Sequence, residues 1–306
     1  MSEPDALRFA EGLSFLKGSH FAEGLRFFKG HGTENDFVLL PDPDGSLELT
    51  ESLVRALCDR RGGIGGDGVL RVVPSRHVAE VAQLADTAPW FMDYRNADGS
   101  LAEMCGNGVR VYARYLIDAG LAAAGPLQLV TRGGVRAVHV PAVGDISVDM
   151  GRPELQDVPG LTVAVAGWSR SALAVSMGNP HVVVAVPAVA DAGDLRQAPT
   201  VSPAEAFPEG TNVEFVADAG RSRIEMRVYE RGSGETRSCG TGAAAAAFAA
   251  ARWWGGGGPA AYDVRVPGGD LRVRQTPNGS VHLAGPAVLV ASGVLDARWL
   301  AAVPAP

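Results

Sequence analysis

"SLAEMCGNGVRVYARYL" (Ser100–Leu116) and "ETRSCGTGAAAAAFAA" (Glu235–Ala250) decide the reading of this chain. Each sets a cysteine directly before Gly-x-Gly and a run of helix-forming residues. A thiol in that place meets the unpaired N–H groups of a helix start and the positive end of the helix dipole. Such a setting can bring a thiol pKa from about 8.5 down towards roughly 3.5–7.5. The glycines let a ligand approach the backbone closely, and the same N–H groups bind a carboxylate. One such cysteine carries little weight. Two at matching places mark Cys105 and Cys239 as paired catalytic groups. One, as thiolate, would remove the proton α to a bound carboxylate. The other, as thiol, would return a proton on the opposite face and so invert a stereocentre. The helix termini would stabilise the charge that builds on the carboxylate, and base and acid are matched to the working pH. This chemistry needs no cofactor.

Working outward, the pattern around each cysteine repeats. Before Cys105, "TENDFVLLPD" predicts a strand at 37–40, "TESLVRALCDRR" a helix over 50–61 with Thr50 as N-cap, and "WFMDYRNADGS" a strand and turn. A helix from about Asn107 ends at Gly120, followed by a hairpin around Gly133-Gly134 and the strand "ISVDMG". From Gly151 the scheme restarts. "ALAVSMGNPHVVVAV", "GTNVEFV" and "RIEMRVYERGSGE" read as strands, and a helix over 240–254 runs into the glycines Gly255–Gly258. Hairpins follow. Short turns and alternating strands predict an α+β fold of mostly antiparallel sheet, duplicated internally, with one central helix per half. The halves are expected at 1–148 and 149–286, with 287–306 returning to the first. "FAEGLSFLKGSH" (Phe9–His20) and "FAEGLRFFKGHG" (Phe21–Gly32) form a tandem repeat. Residues 1–20 therefore read as an appendage, with an extra edge strand as the alternative.

Several function classes recede. The chain has 306 residues, 46% hydrophobic, with formal charge −7 and no basic stripe, which argues against nucleic-acid binding. No apolar run is long enough for a membrane helix, and no secretory signal pattern opens the chain. Three cysteines make a poor disulfide framework and point to a reducing cytoplasm. Lysine occurs only at 17 and 29, which disfavours a Schiff-base cofactor. The histidines and cysteines show no zinc spacing, so no metal is expected. Gly63, Gly65 and Gly68 spell a dinucleotide-type motif, but a helix precedes it and a strand follows, the reverse of the required order. Cys58 reads as a small buried hydrophobe.

"KGHGTENDFVLLPD", "CDRRGGIGGDGVL", "RNADGSLAEMCGNGVRVYARYL", "MGNPHVVV", "GTNVEFV" and "RVYERGSGETRSCGTGAAAAA" together resemble the diaminopimelate epimerase family, from about Phe27 to Ala287. The resemblance implies two pseudo-symmetric domains, each a sheet wrapped around a central helix, with the site between them. It implies interconversion of LL- and meso-diaminopimelate without pyridoxal phosphate, for lysine and peptidoglycan precursors, by a homodimer. By position it matches Cys105 and Cys239 to the catalytic cysteines, and Gly106-Asn107 and Gly240-Thr241 to the backbone that holds the reacting carboxylate. Asn35, Asn96, Asn179, Asn212, Glu230 and Arg231 match the other substrate contacts, and His181 and Glu230 the groups that tune the thiols.

Two departures stand out. Many members carry Gln where this chain has Gly68, and "GTENDF" replaces the commoner "GLGNDF". Three alternatives remain: a proline or hydroxyproline racemase of the same fold, a thiol redox protein using Cys105 and Cys239, and a non-enzymatic binding module.

Overall fold

A computed structural model describes residues 24–165, 167–255 and 261–304. The first copy of the tandem repeat lies outside the described residues. The chain divides into two compact units. The first holds the described residues up to Gly32, Asp36–Ile146 and the residues from Pro286 onward; the second holds Thr33–Asn35 and Ser147–Gly285.

In the first unit the strand Asn35–Pro41 runs parallel to Gly68–Pro74, with Phe37 opposite Gly68. Helix α1 (Glu51–Cys58) makes the crossover. Its N-cap is Thr50, whose Oγ1 accepts from Leu53 N at 3.2 Å. The helix stops earlier than the apolar spacing predicts, because Ile64 N and Gly65 N turn back to the Leu57 carbonyl. Gly68–Pro74 is antiparallel to Trp90–Asn96, which meets Gly125–Thr131 in parallel, and that strand forms a hairpin with Gly134–Val140. Arg26–Gly32 lies antiparallel to Val288–Val294. Helix α2 (Gly106–Asp118) is the central helix, closed by Gly120 at φ +68°.

The second unit repeats this order. Pro180–Ala185 runs parallel to Asn212–Asp218, with His181 opposite Asn212. Next come antiparallel Arg223–Glu230, parallel Ala261–Val266 and antiparallel Gly269–Gln275. Helix α3 (Gly240–Trp254) occupies the place of α2. The expected duplication is therefore present strand by strand. Besides its central helix, unit 1 carries α1, expected from the sequence, and the short α4 (Ala297–Ala302), which was not.

Both central sheets are covered on two faces. Val213, Phe215 and Ala217 join an apolar cluster with Leu161, Val163 and Leu195. The alternate residues Asn212, Glu214 and Val216 face α3. In unit 1, Val38, Leu40 and Val69 pack with Val54 and Leu57 of α1, and Phe37 and Leu70 face α2. These registers make Phe37 the counterpart of His181, Gly68 of Asn212, Leu70 of Glu214 and Asn96 of Glu230.

Candidate active site

Each cysteine is the N-cap of its helix. Cys105 adopts an extended backbone and its sulfur accepts from Gly108 N at 3.4 Å; Cys239 does the same with Gly242 N at 3.3 Å. Sulfur thus stands where Ser or Asp usually caps a helix. Gly106, Asn107, Gly240 and Thr241 supply the first-turn N–H groups, and all four are buried. Thr241 Oγ1 lies 3.4 Å from the Cys239 sulfur.

The thiols differ in environment. Cys239 is buried, whereas Cys105 is partly open. Burial pushes the Cys239 thiol well above its ordinary pKa, and the Glu230 and Glu214 charges add to this against the weaker help of Thr241 and Gly242. The lowered thiol pKa expected at a helix start is therefore corrected for Cys239: two carboxylates and desolvation outweigh the helix terminus. Near Cys105 the charge has the opposite sign. Arg110 of α2 is fully buried. Burial brings its guanidinium down to about 10, while Cys105 and Asp145 favour the cation.

Most of the predicted residues of unit 2 are linked by hydrogen bonds. His181 Nδ1 lies 2.7 Å from Glu214 Oε1, and Nε2 lies 3.1 Å from Asn179 Oδ1. Asn212 Oδ1 accepts from Arg231 N at 3.0 Å, and its Nδ2 donates to Pro180 O at 3.2 Å. Glu230 accepts from the Thr236 hydroxyl. Arg231 is paired with Glu209 at 3.7 Å. In unit 1, Asn96 sits opposite Gly68 and its Nδ2 donates to Ser100 Oγ at 3.0 Å. Asn35 opens its strand just after Thr33 and Glu34, both with left-handed φ (+51° and +60°). Thr33 Oγ1 lies 2.7 Å from Ser238 Oγ, and Glu34 pairs with Arg237. The altered "GTENDF" loop thus braces the two residues before Cys239.

The glycine-rich loop is also explained. A Cβ on Gly68 would come within 2.5 Å of Arg95 O and 2.7 Å of the Tyr94 ring, so no side chain fits there. Arg60 bridges Asp36 and Asp67 at 2.7 Å each, and Lys29 reaches Asp36 at 2.5 Å. Burial opposes ionisation of Asp36, but the Arg60 and Lys29 bonds prevail and hold its carboxyl well below the usual range. The loop is a charged clasp. Burial pushes the Cys58 thiol up to about 12, in accord with a structural cysteine.

A family model described as diaminopimelate epimerase matches residues 27–156 and 173–290. The chain belongs to the diaminopimelate epimerase family. It is 53% identical over 279 residues to the diaminopimelate epimerase of Streptomyces coelicolor, covering 90% of this chain and 96% of the relative. The enzyme of Thermobifida fusca is 51% identical, covering 86% and 95%. Among solved structures, a phenazine biosynthesis protein of the PhzF family from Bacillus anthracis aligns with TM-score 0.67 at 17% identity, covering 89% of this chain and 98% of that one. A hydroxyproline epimerase from Agrobacterium vitis aligns with TM-score 0.64 at 13% identity, covering 90% and 93%. These two establish the fold alone. The diaminopimelate epimerase fold is thus shared with enzymes of other substrates, and membership makes this chain an isomerase of the epimerase type.

The residue that sequence reasoning missed is Glu214. Its charge in "NVEFV" passes for the solvent side of an alternating strand, yet the carboxylate is fully buried. The signal was available: aligning the two halves sets a glutamate where unit 1 has Leu70.

Proposed function

We propose that the protein interconverts LL- and meso-2,6-diaminopimelate by a two-base thiolate/thiol mechanism. The observation that carries this is the pair of cysteine N-caps at equivalent places of a duplicated fold, in a chain so close to diaminopimelate epimerases. One cysteine, as thiolate, takes the α-proton. The C–H electron pair moves onto the α-carbon and its carboxylate, held by N–H groups of Gly106-Asn107 and Gly240-Thr241. The other cysteine, as thiol, delivers a proton to the opposite face and is left as thiolate. Asn35, Asn96, Asn179, Asn212, Glu230 and Arg231 hold the remaining amino and carboxylate groups, with Arg231 suited to the distal carboxylate. His181 and Glu230 tune the thiols. Expulsion of water would protect the carbanion.

Proton NMR of LL-diaminopimelate with the reduced protein in D₂O, without added cofactor, tests the proposal. Loss of the α-proton signal together with appearance of the meso isomer is expected. No exchange by folded, reduced protein would overturn it, and exchange of proline or hydroxyproline instead would favour the racemase reading. We further infer a cytoplasmic homodimer. No described helix is long and apolar enough to cross a membrane, and Val288, Val290 and Val294 leave apolar side chains exposed along one strand. Sedimentation equilibrium showing only monomer would refute the dimer.

A further inference from the structure

The two cysteine seats share a backbone plan but not their flooring. Below the start of α2, a Cβ built on Gly108 would meet Leu70 Cδ2 at 3.4 Å and Phe37 Cζ at 3.5 Å. Below the start of α3, a Cβ on Gly242 would meet Glu214 Oε1 at 2.6 Å. Phe37 and Leu70 on one side thus correspond to His181 and Glu214 on the other. The glutamate is wholly buried, one carboxylate oxygen faces His181 Nδ1, and the other has no hydrogen-bond partner among the described residues. Burying a carboxylate in this way costs free energy that the single His181 contact only partly offsets. The helix terminus offsets part of that cost. The fifth residue after each cysteine differs as well: Arg110 in α2, and the buried Ala244 in α3.

Resting on the two-thiol reading above, we propose that Glu214 is a positioning residue: it fixes the His181 ring, and through it Asn179, and its charge keeps Cys239 a thiol at rest while Cys105 is the thiolate. The charged groups acting most on the Cys239 sulfur are Glu230 and Glu214, on neighbouring strands, and the arginine of α3, Arg252, lies in its last turn, at the far end from Cys239. Arg237, two residues away, is engaged by Glu34 and Pro267 O. Cys105 has the buried Arg110 cation and an apolar floor. The resting enzyme is therefore set to withdraw a proton through Cys105 and donate one through Cys239. The reverse reaction starts from the exchanged protonation state.

The test is titration of thiolate ultraviolet absorbance in backgrounds that keep Cys58 and one of the two cap cysteines. Cys58, at about 12, stays silent below strongly alkaline pH. In Cys105→Ala protein, adding Glu214→Gln is expected to lower the Cys239 inflection by about one pH unit, a roughly tenfold gain in thiolate at fixed pH. Glu214→Asp, which keeps the charge, is expected to restore most of the original position. An unchanged inflection in folded Glu214→Gln protein would overturn the proposal. If that variant does not fold, comparison of Cys105→Ala with Cys239→Ala decides: Cys105 must ionise at the lower pH, and coincident or reversed order refutes the assignment. Thiol order is measured without substrate, so failure of α-proton exchange would sink the reaction while leaving this result standing.

Discussion

Helices α2 and α3 start from the same Cys-Gly-x-Gly device and occupy the same place in their sheets, yet they are packed by opposite means. Helix α2 fills its surroundings with large side chains: Arg110, Tyr112 and Tyr115 are all buried, and Tyr112 Oη donates to Phe91 O at 2.8 Å. Helix α3 is almost pure alanine from Ala243 to Ala250 and is buried on every side. There the surrounding strands must come in towards the helix backbone. The comparison teaches that the cysteine seat is set by cap geometry, while the rest of the helix is free to solve its packing in either way. It also shows where tolerance should differ between the halves.

The largest effect is expected where the halves are alike. Cys105→Ala and Cys239→Ala should each reduce epimerisation ~10³-fold or more with the fold intact, measured by α-proton exchange and circular dichroism. Comparable turnover by either variant would end the two-base reading. The next contrast separates the halves. Gly242→Ala drives a methyl into Glu214 and should cost about 1–3 kcal/mol in urea unfolding together with a marked loss of activity. Gly108→Ala meets only ordinary contacts and should be neutral or stabilising by up to about 1 kcal/mol. Equal costs at both sites would refute the difference in flooring. Further along the helices, Ala246→Leu should cost about 1–3 kcal/mol through overpacking. Tyr112→Phe should cost about 1–2 kcal/mol, by leaving the Phe91 carbonyl without its donor. The smallest effect is at Cys58. Its thiol, raised by burial, stays protonated until strongly alkaline pH, so alkylation near neutrality should label Cys105 and leave Cys58 unmodified by peptide mass spectrometry.

Much of this was legible in the residues. A cysteine before Gly-x-Gly announces a helix start as clearly as a serine would, because the glycines and the following helix formers leave few alternatives. Thr50 declared itself as a cap for the same reason. What periodicity could not show was burial on both faces of a strand. In "NVEFV" the alternation that separates core from solvent in a one-sided sheet here separates two interiors, so alternation alone gives no sign that Glu214 is buried. The Cys239 environment was misjudged for a related reason. The helix terminus is visible in local sequence, whereas the two carboxylates that outweigh it arrive from strands far away in the chain. At Gly68, where many family members carry Gln, sequence shows only the difference, whereas the close approach of Arg95 and Tyr94 shows why glycine stands there.

The pairing of Val288–Val294 with Arg26–Gly32 has a consequence for the order of events at the ribosome. Residues 147–285 emerge as one nearly continuous stretch, and their sheet can close as soon as they are free of the exit tunnel. The strand Arg26–Gly32 of the other unit pairs early with Asn35–Pro41 but lacks its second neighbour until Val288–Val294 has emerged. The half bearing Cys105 is therefore completed after the Cys239 half, and a chain interrupted just after residue 285 is expected to protect the Cys239 half alone from proteolysis.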